Sequence, residues 1–241
     1  MREAGLRLSL VMAELIALVE PGVTGEELAG VCAAQLQRRG LVGASGGAHP
    51  GLAVSVDDAI AHAPPTARAL VEGQVVSLDL AVAYRGYFSD MAVSVGVGEV
   101  SDDLRRQLDI TRQSLYFALS FANPRSRVGD ISHSIQRHLE ANGLHPIQGL
   151  QGHGIGRALH QRPAVPNRGR SGEGNLLRVG QALALEPAAT RGDPQGILAE
   201  DGWTVRTRDG SLATHFEHTL VILDHGPEIL TMLPGETLGR Q

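Results

Sequence analysis

Four acidic residues lie inside otherwise apolar, strand-like stretches, and they limit what this chain can fold into more than any other feature. They are Asp79 in VVSLDLAV, Asp90 at the start of DMAVSVGV, Glu186 in ALALEP and Glu217 in HFEHTLVIL. Burying an unpaired carboxylate is costly, so each group must be paired, protonated or bound to a metal. For a single acid, a neutralised core position is the better interpretation. Four acids, with few arginines in the same stretches, favour a shared metal site.

Histidines extend this acidic set. His153 lies in the glycine-rich segment GHGIG at 152–156, where backbone can approach closely, and His160 follows it. One imidazole with four carboxylates suits a pair of divalent cations such as Mn, Fe, Co or Zn. The candidate ligands are Asp79, Asp90, His153, Glu186 and Glu217. Two such cations can ionise a shared water and polarise a carbonyl group. Whether the five side chains meet depends on the fold.

Composition and charge exclude several classes of protein. Apolar residues make up 42% of the 241 residues and charged residues 20%, which is typical of a globular chain. The formal net charge of -5 disfavours a nucleic-acid partner, which needs a basic surface. The single cysteine, Cys32, excludes an internal disulfide and fits a reducing cytosol. No apolar run reaches the roughly 18 residues of a membrane span, so we expect a cytoplasmic protein without a membrane partner.

Hydrophobic periodicity predicts two pairs of helices. The first helix is amphipathic, begins near the N-terminus and ends before a Pro-Gly pair. The second begins at the N-cap Thr24, where Glu27 completes a capping box, and runs to Gly40. Two further helices are expected over 104–121 and 128–142.

Strand-like runs follow each pair of helices. The predicted strands lie at 52–56, 75–84, 90–98, 182–187, 203–207 and 216–223. Residues 85–87 are expected to form a hairpin turn, and 41–51, rich in glycine, alanine and serine, a loop. The order of helix, helix and strands occurs twice, so we expect one domain over 1–241, built from related halves of about 1–98 and 99–241. Chance resemblance between amphipathic helices is the alternative.

The chain resembles the type I methionine aminopeptidases over nearly its whole length. The stretches that carry the resemblance are SLDLAVAYRGYFSDMAVSVGVG at 77–98, GHGIGRALHQRPAVP at 152–166, ALEP at 184–187 and EDGWTVRTRDGSLATHFEHTLVI at 200–222. The spacing of the five candidate ligands also matches the family. The resemblance implies an α+β pita-bread fold, in which two pairs of helices cover a curved antiparallel sheet with internal pseudo-twofold symmetry.

The resemblance also implies roles for the ligands. Asp79 would chelate one cation, while Asp90 and Glu217 would bridge two. His153 and Glu186 would hold the second cation. Glu186 would act in addition as the general base toward a water molecule.

Two further histidines match catalytic positions of the family. His62 aligns with the histidine that contacts the scissile peptide. His160 aligns with the histidine that steadies the carbonyl group or its tetrahedral oxyanion. Both would therefore bind substrate as well as take part in the reaction.

The pocket for the substrate side chain departs from the family pattern. Ala53 stands where a cysteine usually lies, and Leu159 replaces the usual aromatic residue before His160. His49 is the candidate replacement for a loop histidine, whereas the pocket residue Trp203 is kept. Small residues in place of aromatic ones predict a reshaped pocket, and such changes alter specificity by only modest energies. Alanines also replace hydroxyl residues near the ligands, at positions 81 and 184.

Three functions remain open from these residues. The leading one is a monomeric, cytoplasmic aminopeptidase that uses two divalent cations to release the first residue, methionine, from a peptide or nascent chain. The second is the same chemistry on another first residue or on a dedicated pathway peptide. The third is a non-catalytic, peptide-binding pita-bread protein, against which the retained ligands argue. The metal could be Co, Mn, Fe or Zn, because loading also depends on availability.

Overall fold

The computed structural model of the protein describes residues 1–44 and 51–237. Its helices are α1 (Arg2–Ile16), α2 (Gly25–Arg39), α3 (Asp102–Leu119) and α4 (Val128–Ala141). All four predicted helices are present. The start of α3 lies before the predicted residue 104, because the Ser101 hydroxyl caps the helix by accepting a hydrogen bond from the Leu104 N–H. In the part of the chain that the structure describes, no helix is long and apolar enough to cross a membrane.

The ends of α2 follow the predicted caps. The Thr24 hydroxyl accepts a hydrogen bond from the Glu27 N–H, and the Glu27 carboxylate accepts one from the Thr24 N–H. Gly40 ends the helix with a φ of 64°, a left-handed conformation that favours glycine. Local sequence alone therefore determines both ends of this helix.

Most of the strands belong to one antiparallel sheet. The strands are β1 (Val42–Gly43), β2 (Leu52–Val56), β3 (Ala59–Ala61), β4 (Val75–Tyr84), β5 (Tyr87–Gly96), β6 (His145–Pro146), β7 (Gln151–Gly154), β8 (Gln161–Pro166), β9 (Ala182–Leu185), β10 (Ala188–Thr190), β11 (Gly196–Leu198), β12 (Val205–Thr207), β13 (Ala213–His215), β14 (Glu217–Leu223) and β15 (Gly226–Ile229). The large sheet has the order β1-β4-β5-β14-β9-β7-β8, with β2 also pairing with β4 and β15 with β14. Two small sheets have the orders β13-β10-β6 and β11-β12-β3.

Several predicted boundaries were wrong in detail. Val42–Gly43 pairs with β4, so the expected loop at 41–51 begins with a short strand, and its residues 45–50 lie outside the described chain. The hairpin turn has two residues instead of three, because Tyr87 already pairs with Tyr84. The predicted strand at 182–187 already ends at Leu185, and β10 begins at Ala188, beyond the predicted end.

The two faces of the large sheet differ in chemistry because successive side chains of a strand point to opposite faces. On β4, Leu78 and Leu80 are fully buried in the main core together with Leu8 and Met12 of α1. The intervening Asp79 belongs to the opposite face. One face of the sheet therefore packs against helices, and the other is free to carry polar side chains.

Strands from both ends of the chain build this sheet. β4 and β5 come from the first part of the sequence, β9 and β14 from the second, and β5 pairs directly with β14. The α+β class, with an antiparallel sheet and four helices among the described residues, is confirmed. That 1–241 form one domain from related halves 1–98 and 99–241 stays a prediction.

Candidate metal centre

The predicted ligands lie on the sheet face opposite the main core, in two adjacent rows that cross the strands. In the first row, Asp79 on β4 is directly opposite Ala92 on β5, and Ala92 is directly opposite Glu217 on β14. Directly opposed residues share a face, so the two acids flank Ala92. Glu186 follows β9, the strand that pairs with β14 on its other side. The first row thus runs from Asp79 through Glu217 to Glu186.

The second row runs parallel to the first, one step along the strands. Asp90 lies two residues from Ala92 and so shares its face. The Asp90 N–H donates to Thr219 Oγ1 at 2.9 Å, and the Thr219 hydroxyl donates to the Asp90 carbonyl at 2.8 Å. Thr219 is opposite Ala184, which is in turn opposite His153. The second row therefore holds Asp90 and His153.

The two rows bring the ligand atoms close together. Single ligand atoms of Asp90, His153 and Glu217 all lie within 4.8 Å of one another. His153 Nε2 is 3.9 Å from Asp90 Oδ2 and 3.6 Å from Glu186 Oε1. Asp79 stands outside the tightest group but is close enough for its charge to act on the other three acids. The structure thus assembles the five residues at one place.

The tautomer of His153 follows from its backbone contact. Its Nδ1 is 3.0 Å from the carbonyl oxygen of Gly154, which can only accept a hydrogen bond. Nδ1 therefore carries the proton, and the lone pair of Nε2 faces the carboxylates. This is the arrangement of a metal-ligating histidine.

Burial raises the pKa values of all four acids, and repulsion by neighbouring carboxylates adds to three of these shifts. Burial raises the pKa of Asp79 to about 6. Burial, and then the charge of Asp79, raise the pKa of Asp90 well above its usual value. Burial also raises the pKa values of Glu186 and Glu217 well above the usual range, and the neighbouring carboxylates add to both shifts. Without a cation, the simultaneous ionisation of all four groups costs considerable free energy.

The donor set fits divalent cations. Glu217 Oε1 is a buried oxygen with no hydrogen-bond partner among residues 1–44 and 51–237. A buried carboxylate oxygen without a partner is strongly unfavourable, and a cation would satisfy it. Carboxylates with one imidazole suit the harder and borderline divalent metals. We therefore assign this cluster as a candidate metal centre.

The two remaining catalytic candidates lie at the edge of the centre. The rings of His153 and His160 pack edge to face, with their centroids 4.4 Å apart and an interplanar angle of 83°. Partial burial, and then the neighbouring His62, lower the pKa of His160, so these two rings are also close to each other. His62 has a φ of 61°, which is uncommon for a residue other than glycine and is a feature of functional sites.

Of the predicted pocket residues, Ala53 falls at one end of the first row. Ala53 on β2 is directly opposite Asp79, so it extends that row by one strand. Leu159 is partly buried and directly precedes His160. Trp203 lies in the loop before β12 and is 49% exposed. His49 lies outside the described residues.

The alanine substitutions noted in the sequence fall in the second row. Ala81 is directly opposite Asp90, and Ala184 is directly opposite His153. Neither offers a hydroxyl group to the ligand beside it. The fully buried Thr219 supplies the hydroxyl group that contacts the Asp90 backbone.

Sequence reasoning missed two polar residues that contact or approach Glu186. The Asn167 side chain donates from Nδ2 to the Glu186 carbonyl at 3.0 Å. His215 Nε2 lies 4.0 Å from Glu186 Oε2. No spacing in the sequence indicates Asn167. For His215 a signal existed, because a residue two positions before Glu217 in an extended chain shares its face.

We expect the four carboxyl groups to cost the metal-free protein increasing stability as the pH rises from the ordinary carboxyl pKa of about 4 through their raised pKa values, because they destabilise the fold when they ionise. The buried histidines act in the opposite direction at lower pH. Burial lowers the pKa of His215 to about 3 and of His218 to about 4. Their contribution is lost as the pH falls through about 6.5, so it is cancelled by comparing the wild type with Asp90→Asn at each pH.

The measurement is the melting temperature with EDTA and with excess Mn²⁺ at each pH. We expect a decline in EDTA that Mn²⁺ reverses, since the cation favours the ionised carboxylates. Asp90→Asn removes one of the acids and should flatten the decline. The same pH dependence of the melting temperature in EDTA for Asp90→Asn and for the wild type would contradict the assignment.

Comparison with solved structures agrees with this architecture. The chain superposes on a methionine aminopeptidase from Thermotoga maritima with a TM-score of 0.93 and 36% identity, covering 96% of this chain and 94% of that one. An Xaa-Pro dipeptidase from Bacillus anthracis gives a TM-score of 0.77 at 20% identity, covering 98% of this chain and 60% of that one, and so shares the fold. The fold and the acidic, histidine-containing centre define a metalloenzyme of the pita-bread class.

Comparison of sequences identifies the family within this class of metalloenzymes. The chain is 38% identical over 236 residues to a methionine aminopeptidase of Clostridium perfringens, covering 97% of this chain and 95% of the relative. It is 35% identical over 234 residues to methionine aminopeptidase 1 of Bacillus subtilis, covering 96% of this chain and 94% of the relative. Residues 1–224 match the metallopeptidase family M24. The chain belongs to metallopeptidase family M24.

Proposed function

We propose that the protein is an aminopeptidase that hydrolyses the first peptide bond of a peptide or nascent chain and releases an N-terminal methionine. The observation that carries the proposal is the convergence of the candidate ligands on one sheet face. The similarity to methionine aminopeptidases over almost the whole chain supports this substrate.

The proposed cofactor is a pair of divalent cations. Asp79, Asp90 and Glu217 would hold one, and Asp90, Glu217, His153 and Glu186 the other, so two of the carboxylates would be shared. Four negative charges support two cations better than one, because a single cation would leave the buried centre negatively charged. Bound there, the cations would lower the pKa of a water molecule and polarise the scissile carbonyl group.

Glu186 is the proposed general base. Its Oε1 lies 3.6 Å from His153 Nε2, so the carboxylate is beside the cation that both side chains would hold. Its carboxylate would accept the proton of the attacking water and pass it to the leaving amine, so that it is regenerated. The Asn167 amide holds the Glu186 backbone through the carbonyl group.

His160 and His62 are the proposed contacts to the scissile bond. Partial burial lowers the pKa values of both rings, so each is neutral at neutral pH and has one N–H to donate. His160 would donate to the carbonyl oxygen as it becomes negatively charged. His62 would contact the peptide group and orient it.

Replacing His62 by glycine is expected to lower kcat by about 10²-fold, the typical cost of one lost donor to a reacting carbonyl group. Glycine is chosen because it adopts the positive φ of this position without strain. The Kd for Mn²⁺, measured by titration calorimetry, should change little. Equal losses of turnover and of metal affinity would show that His62 is structural.

The function itself is tested by peptide release. The purified protein would be loaded separately with Co²⁺, Mn²⁺ or Fe²⁺ and given short peptides that differ only in the first residue. Glu186→Ala, handled in the same way, is the control. Preferred release of methionine supports the proposal, and failure to release any first residue from the loaded protein contradicts it.

A different first residue is the second candidate. The observation that favours it is Ala53, which lies directly beside Asp79 where the family usually has a larger residue. A small side chain there leaves room for a substrate side chain of another shape. The same peptide panel decides between the two candidates by the first residue that is released fastest.

The remaining expectations concern location and partners. A cytoplasmic location, a monomeric state and the lack of a nucleic-acid or membrane partner stay predictions. A non-catalytic, peptide-binding role is disfavoured, because none of the five candidate ligands has been replaced.

A further inference from the structure

His215 is a buried histidine to which the proposed reaction gives no role. The residue is 2% exposed. Within the described chain, neither Nδ1 nor Nε2 of its ring has a hydrogen-bond partner. A neutral imidazole has one donor and one acceptor, and burying both without partners is unfavourable. Such a ring requires a hydrogen-bond partner in the active protein.

The backbone of His215 is held firmly. Its N–H donates to Ser94 Oγ at 2.6 Å, and the Ser94 hydroxyl lies 2.9 Å from its carbonyl oxygen. Ser94 Oγ is also 2.6 Å from Ser77 Oγ, so the position is tied to both β4 and β5. In addition, His215 pairs with Ala188 in the small sheet, just beyond Glu186. The backbone of His215 is therefore fixed relative to the centre.

Glu186 lies between two histidines. Its Oε1 is 3.6 Å from Nε2 of His153, the imidazole of the metal centre. Its Oε2 is 4.0 Å from Nε2 of His215. One carboxylate oxygen thus faces the centre while the other faces a ring nitrogen that lacks a partner.

We propose that His215 is a positioning residue for Glu186: in the metal-loaded protein its Nε2–H donates to Glu186 Oε2, which leaves Oε1 for the centre. The proposal rests on the proposed function, in which Glu186 is both ligand and base. Carboxylates that bind metals are commonly oriented by a hydrogen bond to the outer oxygen. A shift of about 1 Å from the present separation brings the pair within normal hydrogen-bond distance.

The chemistry of the ring suits this role. An imidazole has at least one ring N–H to donate, and an ionised carboxylate oxygen can only accept. Glu186 Oε2 is the acceptor that lies 4.0 Å from Nε2.

Three substitutions separate a donor at Nε2 from mere packing. His215→Gln places an amide group near the position of Nε2, whereas His215→Asn places the same group near Nδ1. His215→Leu keeps bulk without a donor. His138→Leu is the matched control, because His138 also has a buried Nε2 without a described partner but lies on α4 with its ring against Phe117.

The readouts are the Kd for Mn²⁺ alone by titration calorimetry, kcat and KM on a methionine-first peptide, and the melting temperature. We expect His215→Asn and His215→Leu to weaken Mn²⁺ binding and to lower kcat by about 10–100-fold each, the usual effect of losing an outer hydrogen-bond partner. KM should change little. His215→Gln should restore most of both losses, and His138→Leu should match the wild type.

Equal Mn²⁺ affinity and kcat in His215→Gln, His215→Asn and the wild type would overturn the proposal. A rise in KM alone would also overturn it, because it would indicate a direct contact with the peptide. The glutamine and asparagine variants decide the question even if the leucine variant does not fold. If the wild type binds Mn²⁺ but releases no first residue, the proposed function fails, while the Mn²⁺ affinities still test His215.

Discussion

Replacing Glu186 by glutamine is expected to lower kcat by about 10²–10⁴-fold, the range that a general base contributes. Glutamine has the same shape but can neither accept the proton nor supply the negative charge. The side chain is only 13% exposed, so no outside water can take over its position easily. The loss should appear in kcat with each metal tested.

The same substitution should raise the melting temperature of the metal-free protein near neutral pH. It removes one of the four clustered acids, whose pKa values are raised by burial and, in three of them, also by repulsion. Glu173→Gln is the matched control, because Glu173 is an exposed glutamate distant in sequence from every candidate ligand. Retention of near-normal kcat in Glu186→Gln would rule out its role as base.

Replacing His153 by alanine is expected to abolish measurable metal binding and turnover under conditions that saturate the wild type. His153 supplies the one nitrogen of the described cluster, and its Nε2 lone pair faces Asp90 and Glu186. The loss should exceed the roughly 10–100-fold effect of removing an outer partner, because a direct ligand is lost. Titration with Mn²⁺ and peptide release measure the two effects.

The fold of this variant should remain. His153 lies at the interior of β7, but its side chain faces the centre and does not belong to the main core. His145→Ala is the matched control, since His145 is an exposed histidine on β6, a strand of one of the small sheets. Metal affinity and turnover close to wild type in purified His153→Ala would contradict the metal assignment.

Elements with local signals were predicted well. The capping box of α2 and the glycine at its end involve residues a few positions apart, so the sequence shows them directly. The hairpin of β4 and β5 was recognised from its apolar runs and its Arg-Gly turn. β4 and β2 were predicted with the observed bounds, because both are apolar runs next to turn residues.

Strands that depend on distant partners were not predicted. These are β1, β3, β6, β7, β8, β10, β11, β13 and β15. Most are short and several contain glycine or proline, so their own residues indicate no strand. β7, for example, is a strand because it pairs with β8 and β9, and the sequence of Gln151–Gly154 contains no apolar alternation.

The chemistry of the candidate centre follows from the amino-acid sequence. Carboxylates inside apolar runs must be neutralised, and that requirement alone singles out Asp79, Asp90, Glu186 and Glu217. Which of these groups meet depends on the pairing of the strands. The register of β5 against β14 places Glu217 opposite Ala92, and the pairing of β7 with β9 brings His153 opposite Ala184.

The difference between what the sequence shows and what strand pairing decides also explains why His215 was overlooked. Its residue type and its distance from Glu217 along the chain were visible in the sequence, but its neighbour Glu186 was not. That contact arises because β13 and β10 pair across a long separation in the chain. Sequence shows which groups need a partner, whereas strand register, a non-local property set by the packing of the whole sheet, decides which partner each one obtains.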